Sequence, residues 1–473
     1  MPRSSSYQAA PRTPALGDGF FEVATPAKFP ALTLRVRNQP WAERLGLGTL
    51  SDEEWLAHFA RFAPLPDNLP APLALGYHGH QFGQYNPALG DGRGFLYAQL
   101  RDPVDGRLLD LGTKGSGTTR WSRGHDGRLT LKGGVREVLA TEMLEALGVY
   151  TSKSFSLVET HEQLQRSDEP SPTRSSVLVR LSHSHVRFGS FQRLAYQKDS
   201  ARLRQLVEFS IENYYPSLAG ADDPIYALFR AVCHRAATLA ASWMASGFVH
   251  GVLNTDNMNI TGESFDYGPY RFLPRYDLKF TAAYFDSSGL YAYGRQPEAV
   301  VWNLLRFAEA LSSLCPMDQL RLALIDWEAR YLRAFHLAFL ERLGVTSRDP
   351  VHDSLLVSRA LCFLQECELG FDRLFFDWYG GLPSEARALA GTAGPLYRGA
   401  RWDGVRALLG EHAPAHAERL SDAYFARTQP TSLIIDELEA LWAPIAARDD
   451  WSLFYAKLDE IRALARLYGR APA

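Results

Sequence analysis

Hydrophobic and polar positions follow different periods in the two parts of the chain. Up to about residue 195, short apolar runs bounded by turn residues predict β-strands at 95–100, 108–115, 154–160 and 176–181. Beyond that point, apolar residues return every three to four positions, as in IYALFRAVCHRAATLAASWMASG (225–247), which predicts amphipathic helices. The chain is therefore predicted to be an α+β protein, with a small β-rich part followed by a larger helical part.

Helical spacing also occurs inside the strand-rich part. VREVLATEMLEALG (135–148) places apolar residues on one helix face and ends at Gly148, and SDEEWLAHFARF (51–62) begins with the Ser51 and Glu54 of a capping box. The polar stretch 163–175 is predicted to be a disordered linker, and the Pro-rich residues 1–17 a disordered tail. Later segments predict further helices at 201–215, 297–314, 317–344, 353–379, 436–447 and 451–468.

Composition excludes several classes of protein. With 50 Lys and Arg against 53 Asp and Glu, the net charge is −3, which does not favour binding to nucleic acid or to an anionic membrane surface. The 4 cysteines form no C-x-x-C pair, so neither a zinc site nor a disulfide framework is expected. No apolar run approaches the ~20 residues that cross a bilayer. We therefore expect a cytoplasmic bacterial protein; the first residues are also faintly like a transit peptide, which would mean a mitochondrial protein in a eukaryote.

The segment GFVHGVLNTDNMNITGESFDYG (247–268) has the spacing of a kinase catalytic loop. Asn257 follows His250 by seven residues, as the metal-binding Asn does in kinases, and Asp266-Tyr267-Gly268 corresponds to their D-F-G motif. Val252 stands where a kinase has its catalytic Asp. The segment therefore keeps the metal ligands of a kinase and lacks its usual base, while a new carboxylate, Asp256, precedes the metal Asn.

A nucleotide site is predicted upstream in kinase order. Gly90 and Gly92 flank Asp91 and, with Arg93, form a turn before a strand; such a turn lets backbone N–H groups approach phosphates, although a plain hairpin turn explains it as well. Lys114 closes the next strand and Glu137 lies early in the following helix, the arrangement of the kinase Lys–Glu pair. A solvated lysine and a surface carboxylate are the alternative interpretation.

Three further features add charge around this region. Asp126-Gly127 marks a turn in a loop that also carries Arg120, Arg123 and Arg128, which suits a loop that reaches toward polyphosphate or a merely solvated connector. Arg180 and Arg187 lie seven residues apart where a kinase passes from its sheet to its hinge. Arginine suits bidentate phosphate contact, and ordinary pairing with surface acids remains the alternative.

Hard oxygen ligands at Asn257 and Asp266 are of the type that holds Mg²⁺ or Mn²⁺ against phosphate oxygens. Asp256 is interpreted as the base that accepts the proton of an attacking hydroxyl, with outer-shell metal binding as its alternative role. His250 is expected to be a structural residue of the loop. The amphipathic helices elsewhere are interpreted as packing elements.

Five linked segments closely resemble the SelO/YdiU family of selenoprotein O pseudokinases, most strongly over residues 75–310; they are YHGHQFGQYNPALGDGRG, LGTKGSGTTRWSRGHDGR, VREVLATEMLEALG, RLSHSHVRFGSF and HGVLNTDNMNITGESFDYGP. The resemblance implies a bilobal kinase-like fold that binds ATP in a flipped orientation and transfers AMP to protein Ser, Thr or Tyr hydroxyls, with possible use of UTP with manganese and possible self-modification. The C-terminal N-P-x-x-I-P-R-N-H stretch and C-terminal cysteine of the family are not found here, so the resemblance implies neither redox regulation nor a mode of target docking for this chain.

The resemblance also implies roles for particular residues. It assigns nucleotide binding to the turn, the Lys–Glu pair, the D-G turn and two arginines, namely Gly90, Gly92, Arg93, Lys114, Glu137, Asp126, Gly127, Arg180 and Arg187. It assigns the base to Asp256 and the metal to Asn257 and Asp266. The predicted parts are an N-terminal extension (1–70), a nucleotide-binding N-lobe (71–195), a helical C-lobe (196–380) and a C-terminal helical region (381–473). The competing hypotheses are a kinase of the aminoglycoside phosphotransferase type, a non-catalytic nucleotide-binding scaffold and a helical interaction module.

Overall fold

The structure, a computed structural model, describes residues 4–470, and its N-terminal part is dominated by one antiparallel sheet. Seven strands follow the order β1-β3-β6-β7-β10-β9-β2, and β8 pairs with β10 beside this path. Two short pairs, β4 with β5 and β11 with β12, lie outside the sheet. The strands are β1 (Phe21–Val23), β2 (Thr33–Arg37), β3 (Leu73–Leu75), β4 (Gly79–Gln81), β5 (Gln84–Asn86), β6 (Leu96–Arg101), β7 (Leu108–Lys114), β8 (Leu129–Thr130), β9 (Lys153–Leu164), β10 (Thr173–Ser182), β11 (Phe248–Val249) and β12 (Arg271–Phe272).

The helices dominate the chain after β10. They are α1 (Gln39–Arg44), α2 (Asp52–Phe59), α3 (Leu131–Ala146), α4 (Phe188–Tyr196), α5 (Ser200–Tyr214), α6 (Pro224–Ala245), α7 (Gln296–Leu311), α8 (Met317–Leu322), α9 (Trp327–Leu343), α10 (Pro350–Glu366), α11 (Phe371–Asp377), α12 (Glu385–Ala390), α13 (Ala400–Leu409), α14 (Ile435–Arg448) and α15 (Ser452–Leu467). The α+β prediction is therefore confirmed. Among the helices within residues 4–470, none is both long enough and apolar enough to cross a membrane.

The four predicted strands are the central strands of the sheet. β6 and β7 form a hairpin, and β10 pairs with β7 on one side and β9 on the other. The register between β7 and β10 sets Lys114 opposite Leu178 and Gly112 opposite Arg180. The disordered linker predicted at 163–175 was wrong at its ends, because β9 and β10 extend into it and leave only 165–172 as the connection.

Residues before 70 complete the sheet at both edges. β1 pairs with β3 at one edge, and β2 pairs with β9 at the other. The predicted capping box is present at the start of α2, where Ser51 accepts from the Glu54 N–H and the Glu54 side chain accepts from the Ser51 N–H. The N-terminal segment thus belongs to the same sheet as the strands that precede the catalytic loop.

The disordered tail predicted for residues 1–17 was wrong for the part that the structure describes. Ala10 donates its N–H to the Gln99 carbonyl at 2.9 Å, and the Thr13 N–H donates to the Gln99 side chain at 2.7 Å. The sequence does not reveal this packing, because a segment rich in proline and small residues has no periodic pattern and here is held by hydrogen bonds to a distant strand. Residues 1–3 lie outside the described part.

Several helices differ from the sequence pattern. Segments 317–344 and 353–379, each predicted as one helix, are broken into α8 with α9 and α10 with α11. The pattern also missed α4, which begins at Phe188, with five residues between it and the end of β10 at Ser182, within the segment SVLVRLSHSHVRFGSF. Each break between α8 and α9 and between α10 and α11 is four residues long, about one helical turn, so the apolar spacing continues across it and periodicity alone does not reveal it.

Helix α3 is held between the sheet and the C-terminal helix α15. Its N-terminus is capped by the Thr130 hydroxyl, which accepts from the Gly133 N–H, and beyond its C-terminus Gly148 adopts a φ of 82° that few other residues tolerate. Val138 on α3 and Ile461 on α15 belong to the same buried apolar cluster. This packing fixes the orientation of the helix that carries Glu137.

Candidate active site

A buried charge cluster joins the end of β7, the second turn of α3 and the middle of β10. Lys114 donates to the Glu137 carboxylate, and Arg180 donates to the same oxygen at 2.8 Å. Glu137 is 1% exposed, and both cations are 5% exposed. The strand lysine and helix glutamate therefore form the ion pair that their order in the sequence predicts, with an arginine from the neighbouring strand as a third member.

Asp266 closes this cluster from the helical part. Its Oδ1 atom lies 2.7 Å from Lys114 Nζ and 2.6 Å from the Arg180 guanidinium. Burial opposes ionisation of this carboxyl, but Lys114 and then Arg180 outweigh it and hold the pKa of Asp266 well below its ordinary value. Asp266 has a φ of 65°, in the left-handed region that Asp tolerates better than most residues. It is therefore an ionised acceptor in a tight turn.

The catalytic-loop segment is held by its flanking residues. The His250 N–H donates to Gln296 at 2.9 Å, and the His250 ring lies 3.0 Å from the Phe265 carbonyl. His250 is fully buried, and burial lowers the pKa of its imidazole. A neutral, buried ring that joins the two ends of the loop has a structural role, as the sequence predicts.

Asp256 is a buried carboxylate with an unused acceptor. It is 8% exposed, and its Oδ1 atom has no hydrogen-bond partner among the described residues. Burial raises the pKa of Asp256 to about 6, and the nearby Arg187 only partly opposes this shift. A carboxylate with a raised pKa and a free oxygen can accept a proton from a bound group.

Asn257 and Asp266 present oxygens that suit a hard divalent cation. The Asn257 amide donates its Nδ2 hydrogen to the Val252 carbonyl at 2.9 Å, which leaves its Oδ1 as the atom available to a ligand. Both contacts of Asp266 with cations run to Oδ1, so Oδ2 keeps no protein hydrogen bond within residues 4–470. In that same range, no group of three or more His, Cys, Asp or Glu side chains is arranged as a metal site. A cation here would need phosphate oxygens and water to complete its shell.

Arg187 is held beside Asp256 by groups that sequence reasoning did not single out. Its guanidinium donates to the Asp256 carbonyl at 3.0 Å and lies 3.5 Å from the Asp91 carboxylate. It also sits 4.3 Å from the centre of the Tyr77 ring and 4.9 Å from that of Phe265. Asp91 lies within the glycine-rich turn. It reaches Arg187 only because that turn packs against the segment between β10 and α4.

A short hairpin, β4 with β5, packs over the catalytic loop. The His80 N–H donates to the Thr255 hydroxyl at 2.7 Å, and the Phe82 N–H donates to Asn254 at 3.2 Å. A Cβ atom on Gly79 would lie only 2.7 Å from Asp256 Oδ1, so a side chain there would press on that carboxylate. In the sequence, the glycine and the histidines of YHGHQF were the feature that could have indicated this contact.

The glycine-rich turn packs against the basic loop that follows β7. A Cβ atom on Gly90 would lie 2.4 Å from the Trp121 ring, and one on Gly92 would lie 2.8 Å from the Trp121 carbonyl. Close packing therefore accounts for both glycines, whatever else they contact. Arg93, which follows Gly92, is exposed. Its charge adds to burial in lowering the pKa of Lys114, and it adds to Lys114 and Arg180 in lowering the pKa of Asp266.

Asp126 and Gly127 form a turn whose hydrogen bonds point away from the charge cluster. The Asp126 carboxylate is exposed, lies 2.8 Å from Arg166 and accepts from the Arg128 N–H at 3.0 Å. Gly127 has a φ of 68°, and a Cβ atom there would lie 2.3 Å from the Gly117 carbonyl. These contacts join neither Asp126 nor Gly127 to the charge cluster of Lys114, Glu137, Arg180 and Asp266.

A family model described as "Protein adenylyltransferase SelO" matches residues 4–462. The chain belongs to the SelO family. A protein of Gloeobacter violaceus named "Protein nucleotidyltransferase YdiU" is 45% identical over 467 residues, which cover 96% of this chain and 94% of the relative. A protein of Synechocystis sp. with the same name is 44% identical over 462 residues, covering 94% of this chain and 95% of the relative.

The SelO family match extends the similarity beyond the catalytic motifs. Sequence motifs alone indicate a strong resemblance over 75–310, whereas the family match begins at residue 4 and ends at residue 462. The edge strands and the C-terminal helices that hold the sheet and α3 are therefore part of the family similarity. As a member of the SelO family, the chain is an enzyme of the nucleotidyltransferase class, and the relatives above are bacterial.

Proposed function

We propose that this enzyme transfers AMP from ATP to Ser, Thr or Tyr hydroxyls of proteins and releases pyrophosphate. One observation carries the proposal: the buried Asp256 has an unpartnered Oδ1 atom, directly precedes Asn257, and lies beside Arg187. This combination provides a proton acceptor, a metal-type ligand and a phosphate-type cation within one turn of chain. The proposed nucleotide is ATP, with UTP as an alternative.

The order of the elements along the chain supports the proposal, which includes a bilobal kinase-like arrangement. The antiparallel sheet, the Lys114–Glu137 pair between strand and helix, and the loop with Asn257 and Asp266 occur in the order found in kinases. In kinases these parts hold the phosphates of a nucleotide between the sheet and the helical region. The proposed division is accordingly an N-lobe that contains the sheet and a C-lobe that begins near α5.

In the proposed reaction, the acceptor hydroxyl oxygen attacks the α-phosphorus of ATP. Its proton passes to Asp256 Oδ1, the bond from the α-phosphorus to the bridging oxygen of the β-phosphate breaks, and pyrophosphate leaves with that electron pair. Lys114, Arg180 and Arg187 surround this region with positive charge, which stabilises the charge that grows on the leaving group. A Mg²⁺ or Mn²⁺ ion held by Asn257 and Asp266 would neutralise further phosphate charge.

The two hinge-side arginines favour a flipped nucleotide. Arg180 and Arg187 are 5% and 7% exposed, so they present charge in a region where a kinase keeps the uncharged adenosine. Arg180 is paired with Glu137 and Asp266, and Arg187 is paired with Asp91. The Nε–H of each arginine nevertheless has no hydrogen-bond partner among the described residues, and the distal phosphates of ATP would accept from these donors. The triphosphate tail is therefore proposed to point toward these arginines, which leaves the α-phosphate as the group nearest Asp256.

A phosphotransferase of the aminoglycoside type is disfavoured by one position. Val252 occupies the place of the kinase base, and its carbonyl serves only as the acceptor for Asn257.

Because nucleoside triphosphates are cytoplasmic metabolites, the proposed reaction also suits a cytoplasmic enzyme.

Intact mass measurement after incubation with ATP and Mg²⁺ or Mn²⁺ tests the proposal. We expect the protein, or an added protein acceptor, to gain the mass of one AMP per modified hydroxyl. Asp256→Asn should abolish the gain, while Asp318→Asn, the same change at a carboxylate that is 96% exposed, should leave it unchanged. A gain equal to one phosphate, or a gain that persists in Asp256→Asn, would contradict the proposal.

A further inference from the structure

A cleft of about 400 Å³ lies away from the charge cluster, between the turn after α3, the end of β10 and helix α6. Its walls carry two guanidinium groups, those of Arg107 and Arg235, and three rings, those of Tyr150, His183 and His234. This volume lies in the range of sites for small organic molecules. No Asp or Glu from the described residues lines the cleft.

The positive charge of the cleft is only partly neutralised. Arg107 is paired with Asp105 at 2.7 Å and lies 3.6 Å from the Asp102 carboxylate. It also donates to the Tyr150 hydroxyl at 3.1 Å. Arg235 has no ion pair with any carboxylate of residues 4–470; it donates to the Thr261 carbonyl at 3.2 Å and stacks over Tyr215 at 4.2 Å. A guanidinium held by one carbonyl and one ring keeps N–H donors for an anion.

The aromatic wall is fixed by an internal hydrogen bond. The Tyr150 hydroxyl lies 2.7 Å from His183 Nδ1, and the His183 N–H donates to the buried Glu263 at 2.9 Å. Burial, followed by the charges of Arg107 and Arg235, lowers the pKa of His183 to about 3, so this ring stays neutral. The cleft therefore offers a neutral aromatic surface beside two fixed cations, while the Nε2 atom of His234 has no partner among the described residues.

We propose that this cleft binds a small organic phosphate whose ring or apolar part rests on Tyr150 while its phosphate contacts Arg235 and Arg107. Two guanidinium groups match the two negative charges of a phosphate monoester better than the single charge of a carboxylate. The site is separate from the one proposed for ATP. Thr261 and Gly262 line it, and these residues lie between Asn257 and Asp266 in the chain.

Calorimetric titration with phenyl phosphate tests the site in the full-length protein without ATP. We expect saturable binding, weaker binding of benzoate and no binding of the uncharged phenol. Arg235→Gln should weaken phenyl phosphate binding at least about tenfold, since it removes a charge-assisted contact. Arg187→Gln, which alters the proposed ATP site instead, should leave the affinity unchanged.

A second variant keeps the test decisive if Arg235→Gln does not fold. Thr238 is an exposed residue of the cleft wall, and Thr238→Trp would fill the space without removing a charge. It should abolish binding while its melting temperature stays close to that of the unchanged protein. The proposal is overturned if phenyl phosphate shows no saturable binding, if Thr238→Trp binds it normally, or if only Arg187→Gln loses affinity.

Discussion

The Arg187 guanidinium donates a hydrogen bond of 3.0 Å to the backbone carbonyl of Asp256. A residue proposed to hold phosphate and the residue proposed to accept a proton are thus joined directly. Asp91 lies 3.5 Å from Arg187 on its other side, so the arginine is held between two acidic residues. Charge changes at Arg187 should therefore reach the carboxylate of Asp256.

AMP transfer by this enzyme should depend on pH. Asp256 must be ionised to accept a proton, and burial raises its pKa to about 6. As pH falls through about 6, protonation removes the base, so kcat/KM should drop about tenfold per pH unit below that value. Rates of AMP transfer at saturating metal, measured from about pH 5 to 8, check this. A rate that stays level across this range would contradict the assignment of the base.

Arg187→Gln should move the same acid limb to higher pH. Burial raises the pKa of Asp256, and Arg187 is the strongest of the groups that oppose this shift, so the apparent pKa should rise when the arginine is removed. The measurement is the midpoint of the pH profile. Loss of a phosphate contact lowers the rate at every pH and so does not move this midpoint. Arg321→Gln, at an exposed arginine, is the matched control and should leave the midpoint in place. An unchanged midpoint in Arg187→Gln would mean that the two side chains are not coupled.

Glu137→Ala should destabilise the fold by about 3–5 kcal/mol, because it leaves the two buried cations Lys114 and Arg180 with one carboxylate, that of Asp266, in place of two. Glu298→Ala removes an exposed i,i+3 pair with Arg295 and should cost less than about 1 kcal/mol. Urea unfolding of both variants measures the difference. Equal midpoints would show that the charge cluster contributes nothing to stability.

Contacts between residues on elements that follow one another in the chain could be predicted from the sequence. Lys114 ends a strand and Glu137 follows early in the next long helix, so their order alone indicates the ion pair that the structure contains. Asp91 and Tyr77 could not be assigned, because their contacts with Arg187 depend on how a glycine-rich turn packs against a distant hinge. The roles proposed for Asp256, Asn257 and Asp266 stay predictions.

The glycines of the turn show the same limit. Their spacing suggests backbone contact with phosphate, while the structure gives Gly90 and Gly92 a packing reason in Trp121 that no local pattern contains. Likewise, the tail predicted to be disordered is held by Gln99, a strand residue that lies 86 positions after Thr13. Contacts of this length leave no periodic trace in the sequence.

Gly94→Ala should be strongly destabilising. A Cβ atom at this position would lie 1.9 Å from the Thr113 carbonyl, so β7 or the glycine-rich turn would have to shift. Gly404→Ala is the matched control, because its Cβ would meet nothing within 4 Å in α13, and it should stabilise the protein by about 0.5–1 kcal/mol. Thermal unfolding of the two variants should therefore move in opposite directions. A Gly94→Ala variant as stable as the unchanged protein would contradict the close approach.

Parallel incubation with ATP labelled at the α-phosphate or at the γ-phosphate tests the central claim most directly. The proposed flipped nucleotide places the α-phosphate next to Asp256, so label from the α position should become bound to protein while label from the γ position leaves as pyrophosphate. Asp256→Asn should remove the α signal. Protein labelled from the γ position and not from the α position would contradict AMP transfer and favour an ordinary kinase.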